Sequence, residues 1–164
     1  MSPIIPDQAH LPALASHERA ELGNELQVML VELVDLSLLG KQLHWNVVGT
    51  LFRPLHLQLD ELVESWHGLA DTVAERAVAI GFAPDGQART IAAVEELEPV
   101  DEGPIEADAV VRELARRLAD TSERVRARMD RLGELDLASQ DVLIEVVREL
   151  EKELLMIRVQ HEGR

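Results

Sequence analysis

From Ser16 to Trp45, apolar residues recur at Leu22, Leu26, Met29, Leu30, Leu33, Leu36 and Leu43, at spacings of three, four and seven. That period predicts an amphipathic helix rather than a strand. Ser16 stands where an N-cap is expected, and Glu18 and Glu21 suit the positive end of the helix dipole. A second helix is predicted from Pro54, which fits a first turn, to Ile80, with Gly81 as its stop. A third runs from about Pro104 to Leu132, ended by Gly133, and a fourth from a Ser139 cap to about Val159. Residues 81–103 form a connector, Gly81-Phe82-Ala83-Pro84-Asp85-Gly86 followed by a short helical patch from Gln87 to Leu97. No segment alternates as a half-buried strand does, and no internal repeat is present. The expected architecture is one all-α domain, a four-helix bundle over 16–159 with a crossover between its second and third helices. Residues 1–15 are an N-terminal extension and 160–164 a short tail.

Composition narrows the function. The 164 residues include no cysteine, which excludes a disulfide framework, a thiolate metal site and a cysteine nucleophile. No apolar run approaches the ~18 residues of a membrane span, and Met1-Ser2-Pro3-Ile4-Ile5-Pro6-Asp7 does not read as a secretory signal. A cytoplasmic location is expected. Thirty-one acidic residues against sixteen basic ones leave a net charge of −15. Such a chain repels DNA at long range and attracts cations.

The second helix carries the candidate chemistry. His56, Asp60, Glu64, His67, Asp71 and Glu75 follow one another at spacings of four, four, three, four and four, which puts all six on one stripe. A run of charge is commonly a solvated face. This one mixes imidazole with carboxylate and holds no lysine or arginine. His56 and Asp60 are one turn apart, as are Asp71 and Glu75, but Asp60 and Asp71 are separated by about 16 Å along the axis. One metal centre uses both pairs only if a two-fold axis lays an identical helix alongside, antiparallel.

The numbering fits such an axis. His56 with Glu75, Asp60 with Asp71, and Glu64 with His67 each sum to 131, so the stripe is palindromic about the Ser65–Trp66 bond. Gly68 near the axis permits close approach. Trp66 either fills the contact between the two helices or packs within its own bundle. A nitrogen-and-oxygen ligand set of this kind suits iron, zinc or manganese. His44, at the end of the first helix, is the natural further ligand.

The segment Asp35-Leu36-Ser37-Leu38-Leu39-Gly40-Lys41-Gln42-Leu43-His44-Trp45-Asn46 resembles the Dps family of mini-ferritins. So do Ala74-Glu75-Arg76-Ala77-Val78-Ala79-Ile80-Gly81 and Leu150-Glu151-Lys152-Glu153-Leu154-Leu155-Met156-Ile157-Arg158. The likeness covers about 35–161. It implies a ferritin-like four-helix subunit, with a short helix in the long connection, assembled into a hollow dodecamer. The family's ferroxidase centres lie at two-fold interfaces, and their ligand positions are filled here by His44, His56 and Asp60 of one subunit and Asp71 and Glu75 of its partner. The implied activity is oxidation of Fe(II), typically by hydrogen peroxide, with storage of the Fe(III) mineral inside; zinc or manganese can occupy the same centre. Lys41 and Trp45 would stand beside that centre, Lys41 tuning its charge or pairing with a nearby acid. Trp45 would intercept a stray oxidising equivalent or plug the subunit contact. The resemblance also places Glu134, Asp136 and Asp141 near a three-fold iron-entry pore, although an acid at Asp141 equally complements a helix dipole.

Two other readings compete. A di-iron site inside one bundle wants two Glu-x-x-His motifs; only Glu64-Ser65-Trp66-His67 is present. A purely structural or DNA-compacting shell explains assembly but not five ligand types at the required spacing. DNA binding lacks its usual basis, because residues 1–15 hold neither lysine nor arginine. The arginines at 112, 116, 117, 124, 126, 128 and 131 are interleaved with acids at 113, 120, 123 and 130, a pattern that reads as ion pairs. Nucleoid association would follow only if DNA were bound.

Overall fold

The computed structural model describes residues 11, 12, 14–94 and 99–162. Most of the expected N-terminal extension, part of the connector patch and the last two residues of the tail lie outside the described residues. Four long helices, α1 (Ser16–Asn46), α2 (Phe52–Ala79), α4 (Ala107–Leu135) and α5 (Leu137–Glu162), are joined through a connector that contains one short helix, α3 (Ala88–Ile91). α1 packs chiefly along α2, and α4 along α5. The two hairpins close over a core that includes Leu26, Met29, Leu33, Leu59, Trp66, Leu114, Leu118, Val146 and Leu150. Each such leucine contributes roughly 1.5–3 kcal/mol by leaving water.

Several helix ends differ from the sequence expectation. Ala15, not Ser16, is the N-cap of α1: its backbone is extended (φ −67°, ψ 155°) and the Glu18 carboxylate accepts its N–H at 2.6 Å. α2 begins at Phe52, so Pro54 sits inside its first turn, where a missing N–H costs nothing. The end of α2 is as expected. Gly81 has φ +84°; its N–H donates to Val78 O and that of Phe82 to Ala77 O, each at 2.9 Å, the pair of bonds that closes a helix through a left-handed residue.

The third long helix starts at Ala107 rather than Pro104, because Ile105–Glu106 (β2) pairs in parallel with Val47–Val48 (β1). Two-residue strands are too short to leave an alternating pattern, which is why the sequence showed none. Gly133 does not stop α4, which continues to Leu135. It instead makes room for the Gln140 side chain, which a Cβ at 133 would strike. The cap of α5 is Asp136, whose carboxylate accepts the Ser139 N–H at 2.9 Å; Ser139 lies inside the helix.

Six arginines of α4 are ion-paired, four of them to acids on other helices. Arg116 and Arg117 hold Glu113 within α4. Arg124 and Arg128 reach Glu32 of α1, Arg131 reaches Glu25, and Arg126 reaches Glu151 of α5. The interleaved acids of α4 itself are therefore only part of the network.

Candidate metal centre

The buried face of α2 carries Leu55, Leu59, Leu62, Val63, Trp66, Leu69, Val73 and Ala77, and this sets the opposite face outward. On that outward face Asp60, Glu64, His67, Asp71 and Glu75 are exposed and His56 is half-buried. Trp66 is fully buried inside the bundle, which resolves its two readings in favour of packing within the subunit.

At the N-terminal end of the stripe the chain folds back on itself. Gly49 (φ +101°) allows the turn between α1 and α2, and the turn brings His44 of α1 against His56 of α2. Their rings stack with centroids 3.6 Å apart. His44 Nδ1 lies 2.8 Å from the His56 carbonyl oxygen, and His56 Nδ1 lies 3.0 Å from that of His44. A carbonyl only accepts, so both Nδ1 atoms carry the proton, and in the neutral rings both Nε2 atoms keep a free lone pair. This is the tautomer a metal-ligating imidazole needs, held by backbone partners. The Phe52 ring lies 5.0 Å from that of His56.

Asp60 completes this end. Its Oδ1 is 3.3 Å from His44 Nδ1 and accepts a hydrogen bond from Lys41 Nζ at 2.7 Å. The Lys41 ammonium, helped by His44 and His56, holds the Asp60 carboxyl below the usual carboxylate range. Lys41 Nζ also lies 5.8 Å from the ring centroid of Trp45, whose side chain is 67% exposed. The pairing of Lys41 with Asp60 joins positions 19 apart in sequence, and no local spacing signalled it.

Asp71 and Glu75 lie at the other end of α2, so the fold gathers His44, His56 and Asp60 but leaves these two carboxylates apart from them. Among the described residues of one chain, no group of three or more histidine and carboxylate side chains forms a metal-holding cluster. Beside Glu75, Arg76 donates to Asp136 Oδ2 at 2.6 Å and to Ser139 Oγ at 3.0 Å, which ties the end of α2 to the start of α5. Burial pushes the Asp136 carboxyl up, but its hydrogen bonds from Ser139 and Arg76 outweigh this and hold it below the ordinary value. Glu134 and Asp141, the other two acids of this corner, are exposed. No helix of the described residues is long and apolar enough to cross a membrane.

Residues 23–162 match the Ferritin-like domain family. The chain is 36% identical over 156 residues to a DNA protection during starvation protein of Mycolicibacterium smegmatis, covering 93% of this chain and 84% of that one. It is 33% identical over 142 residues to DNA protection during starvation protein 2 of Deinococcus radiodurans, covering 87% of this chain and 59% of that protein. Among solved structures, a tetragonal form of Mycobacterium smegmatis Dps superposes with a TM-score of 0.87 at 32% identity, covering 98% and 93% of the two chains. DpsA14 from Streptomyces coelicolor superposes with a TM-score of 0.88 at 29% identity, covering 96% and 94%.

Proposed function

Since the chain belongs to the Dps branch of the ferritin-like proteins, we propose that it is a ferroxidase that stores the iron it oxidises. The observation that carries this reading is the reciprocal tie between His44 and His56, which leaves the Nε2 of each neutral ring free, with Asp60 against the same His44 ring. Fe(II) is the substrate. It would bind between His44, His56 and Asp60 of one subunit and Asp71 and Glu75 of the partner subunit, as the palindromic stripe supports. Each hydrogen peroxide takes one electron from each of two Fe(II) ions and, with two protons, leaves as two waters; pairing the electrons avoids hydroxyl radical. Zinc or manganese fits the same nitrogen-and-oxygen set.

The particle is a homo-oligomer on this reading, a hollow dodecamer closed by such two-fold contacts and lying in the cytoplasm. Iron would enter past Glu134, Asp136 and Asp141, with Asp136 also serving as a helix cap. Protection of DNA would come from removing iron and peroxide rather than from grasping the duplex. The net charge of −15 and the commitment of Arg116, Arg117, Arg124, Arg126, Arg128 and Arg131 to acids support this.

The test is a double variant, His56→Ala with Asp60→Asn, loaded anaerobically with Fe(II) and then given peroxide. Loss of fast Fe(III) formation with particle mass unchanged by light scattering is the expected outcome. Oxidation at the wild-type rate would overturn the assignment.

A further inference from the structure

The middle of the α2 stripe is not used by the iron-oxidising centre. Glu64 and His67 are both exposed, and among the described residues neither makes a hydrogen bond or an ion pair. At about 100° per residue they lie some 30° either side of the stripe's centre line, about 4.5 Å apart along the axis. They are also a complementary pair under the palindrome, so an antiparallel copy sets Glu64 against His67 of the partner subunit, twice.

The same face carries signs that a second copy covers it. Leu57 and Val78, 49% and 46% exposed, are large apolar side chains on the stripe. Under the same pairing Leu57 meets Ala74, a large residue against a small one. Next to His67, a Cβ at Gly68 would meet nothing within 4 Å, so nothing of the subunit itself obstructs approach there.

We propose that Glu64 and His67 of two subunits form a four-ligand site on the two-fold axis for one divalent transition-metal ion of the zinc class. Two imidazoles and two carboxylates form a tetrahedral nitrogen-and-oxygen set of the kind zinc accepts, at about 2.0–2.2 Å. The site lies about 8 Å along the helix from Asp60, so it is separate from the two flanking centres. It is incomplete in one chain, and the ion it holds staples the two α2 helices together. The proposal rests on the two-fold pairing used in the proposed function.

The experiment is a calorimetric titration of the metal-free full-length chain with Zn2+. The starting background is His56→Ala with Asp60→Asn, which removes the flanking centres. That background should take up about one Zn2+ per two chains, and adding His67→Asn or Glu64→Gln should weaken this binding at least about tenfold. No zinc bound in the background, a stoichiometry of one per chain, or binding indifferent to both added changes would overturn the site. Iron oxidation by the wild-type chain is measured on the same preparation. Normal oxidation without His67-dependent zinc removes the axial site alone; His67-dependent zinc without oxidation removes the ferroxidase reading alone.

Discussion

Trp66 of α2 donates its indole N–H to the Glu153 carboxylate of α5 at 2.7 Å, inside the bundle. Both residues are buried, Trp66 completely. The bond satisfies an indole that would otherwise lose a partner, and it places an acid where water does not reach. Burial pushes the Glu153 carboxyl up from 4.5 to about 7, against the pull of its bonds from Ser65 and Trp66.

The sign of the resulting pH dependence follows from linkage. In the unfolded chain Glu153 ionises near its ordinary value, while the folded chain keeps it protonated to about pH 7. Its contribution is therefore fully present below pH 4.5 and is lost as pH rises through 7, a change of about 3 kcal/mol. Glu153→Gln keeps an acceptor for Trp66 without the charge. Denaturant unfolding should show the variant gaining on the wild type by about 1–3 kcal/mol at pH 8 and by little at pH 5. An equal difference at both pH values would deny the buried titration.

Lys41 Nζ donates to Asp60 Oδ1 at 2.7 Å, so it competes with a cation for the same carboxylate. Lys41→Met should tighten Zn2+ or Fe(II) binding at pH 7 by about two- to fivefold, since an exposed pair is a weak competitor. The Asp60 carboxyl should also titrate closer to its ordinary value, as followed by NMR. Weaker metal binding in this variant would mean that Lys41 supports the centre.

Gly40 lets α1 and α2 approach closely one turn before His44. A Cβ there would lie 2.6 Å from Val63 Cγ2 and 2.8 Å from Trp66 Cζ3. Alanine gains about 1 kcal/mol in helix propensity, whereas overpacking costs about 1–3 kcal/mol. Neither contact atom is the free end of a flexible chain, so the clash should win. Gly40→Ala is expected to lose about 1 kcal/mol of stability and to slow iron oxidation by moving His44 relative to His56. A gain in melting temperature would show that the helices part without strain.

Arg76 clamps the far end of the stripe to the α4–α5 corner. Arg76→Ala should cost about 1–2 kcal/mol at pH 7 by removing the charged partner of Asp136, which keeps its bonds from Ser139. Asp136 is held below its ordinary value, so its contribution is present above that value and fades as pH falls through the folded one. Wild type and variant should therefore converge in stability toward acid. A gap that stays constant down to about pH 3 would rule out the carboxylate as the origin.

Asp141 is exposed near the start of α5. If it lines the iron entry, Asp141→Asn should slow iron uptake at limiting Fe(II) about severalfold while leaving oxidation at saturating iron unchanged, because a cation-attracting charge acts on encounter. Equal uptake would leave Asp141 as a helix-dipole charge.

The local signals were legible in the chain itself. The spacing of apolar residues from Leu22 to Leu43 set the first helix, because a helix buries whatever recurs every three or four residues, and proline and glycine marked out the others. Gly81 ended α2 because a left-handed residue is needed there. The stripe from His56 to Glu75 and its symmetry about the Ser65–Trp66 bond are properties of spacing alone, and so is the impossibility of one chain joining its two ends. These features depend on rise per residue and rotation per residue, which are the same in every α-helix.

Where a residue's role depended on a distant partner, only the tertiary structure decided it. Gly133 looked like a stop until Gln140 was seen to need its space. Ser139 looked like a cap until Asp136, itself anchored by Arg76 from α2, took that place. The β1–β2 bridge joins residues almost sixty apart through two-residue strands with no pattern to read. Lys41 met Asp60, and His44 exchanged hydrogen bonds with the backbone of His56, because a turn at Gly49 folded one helix onto the next. Spacing along the chain fixes which face a side chain occupies; the packing of one helix on another fixes what that side chain meets.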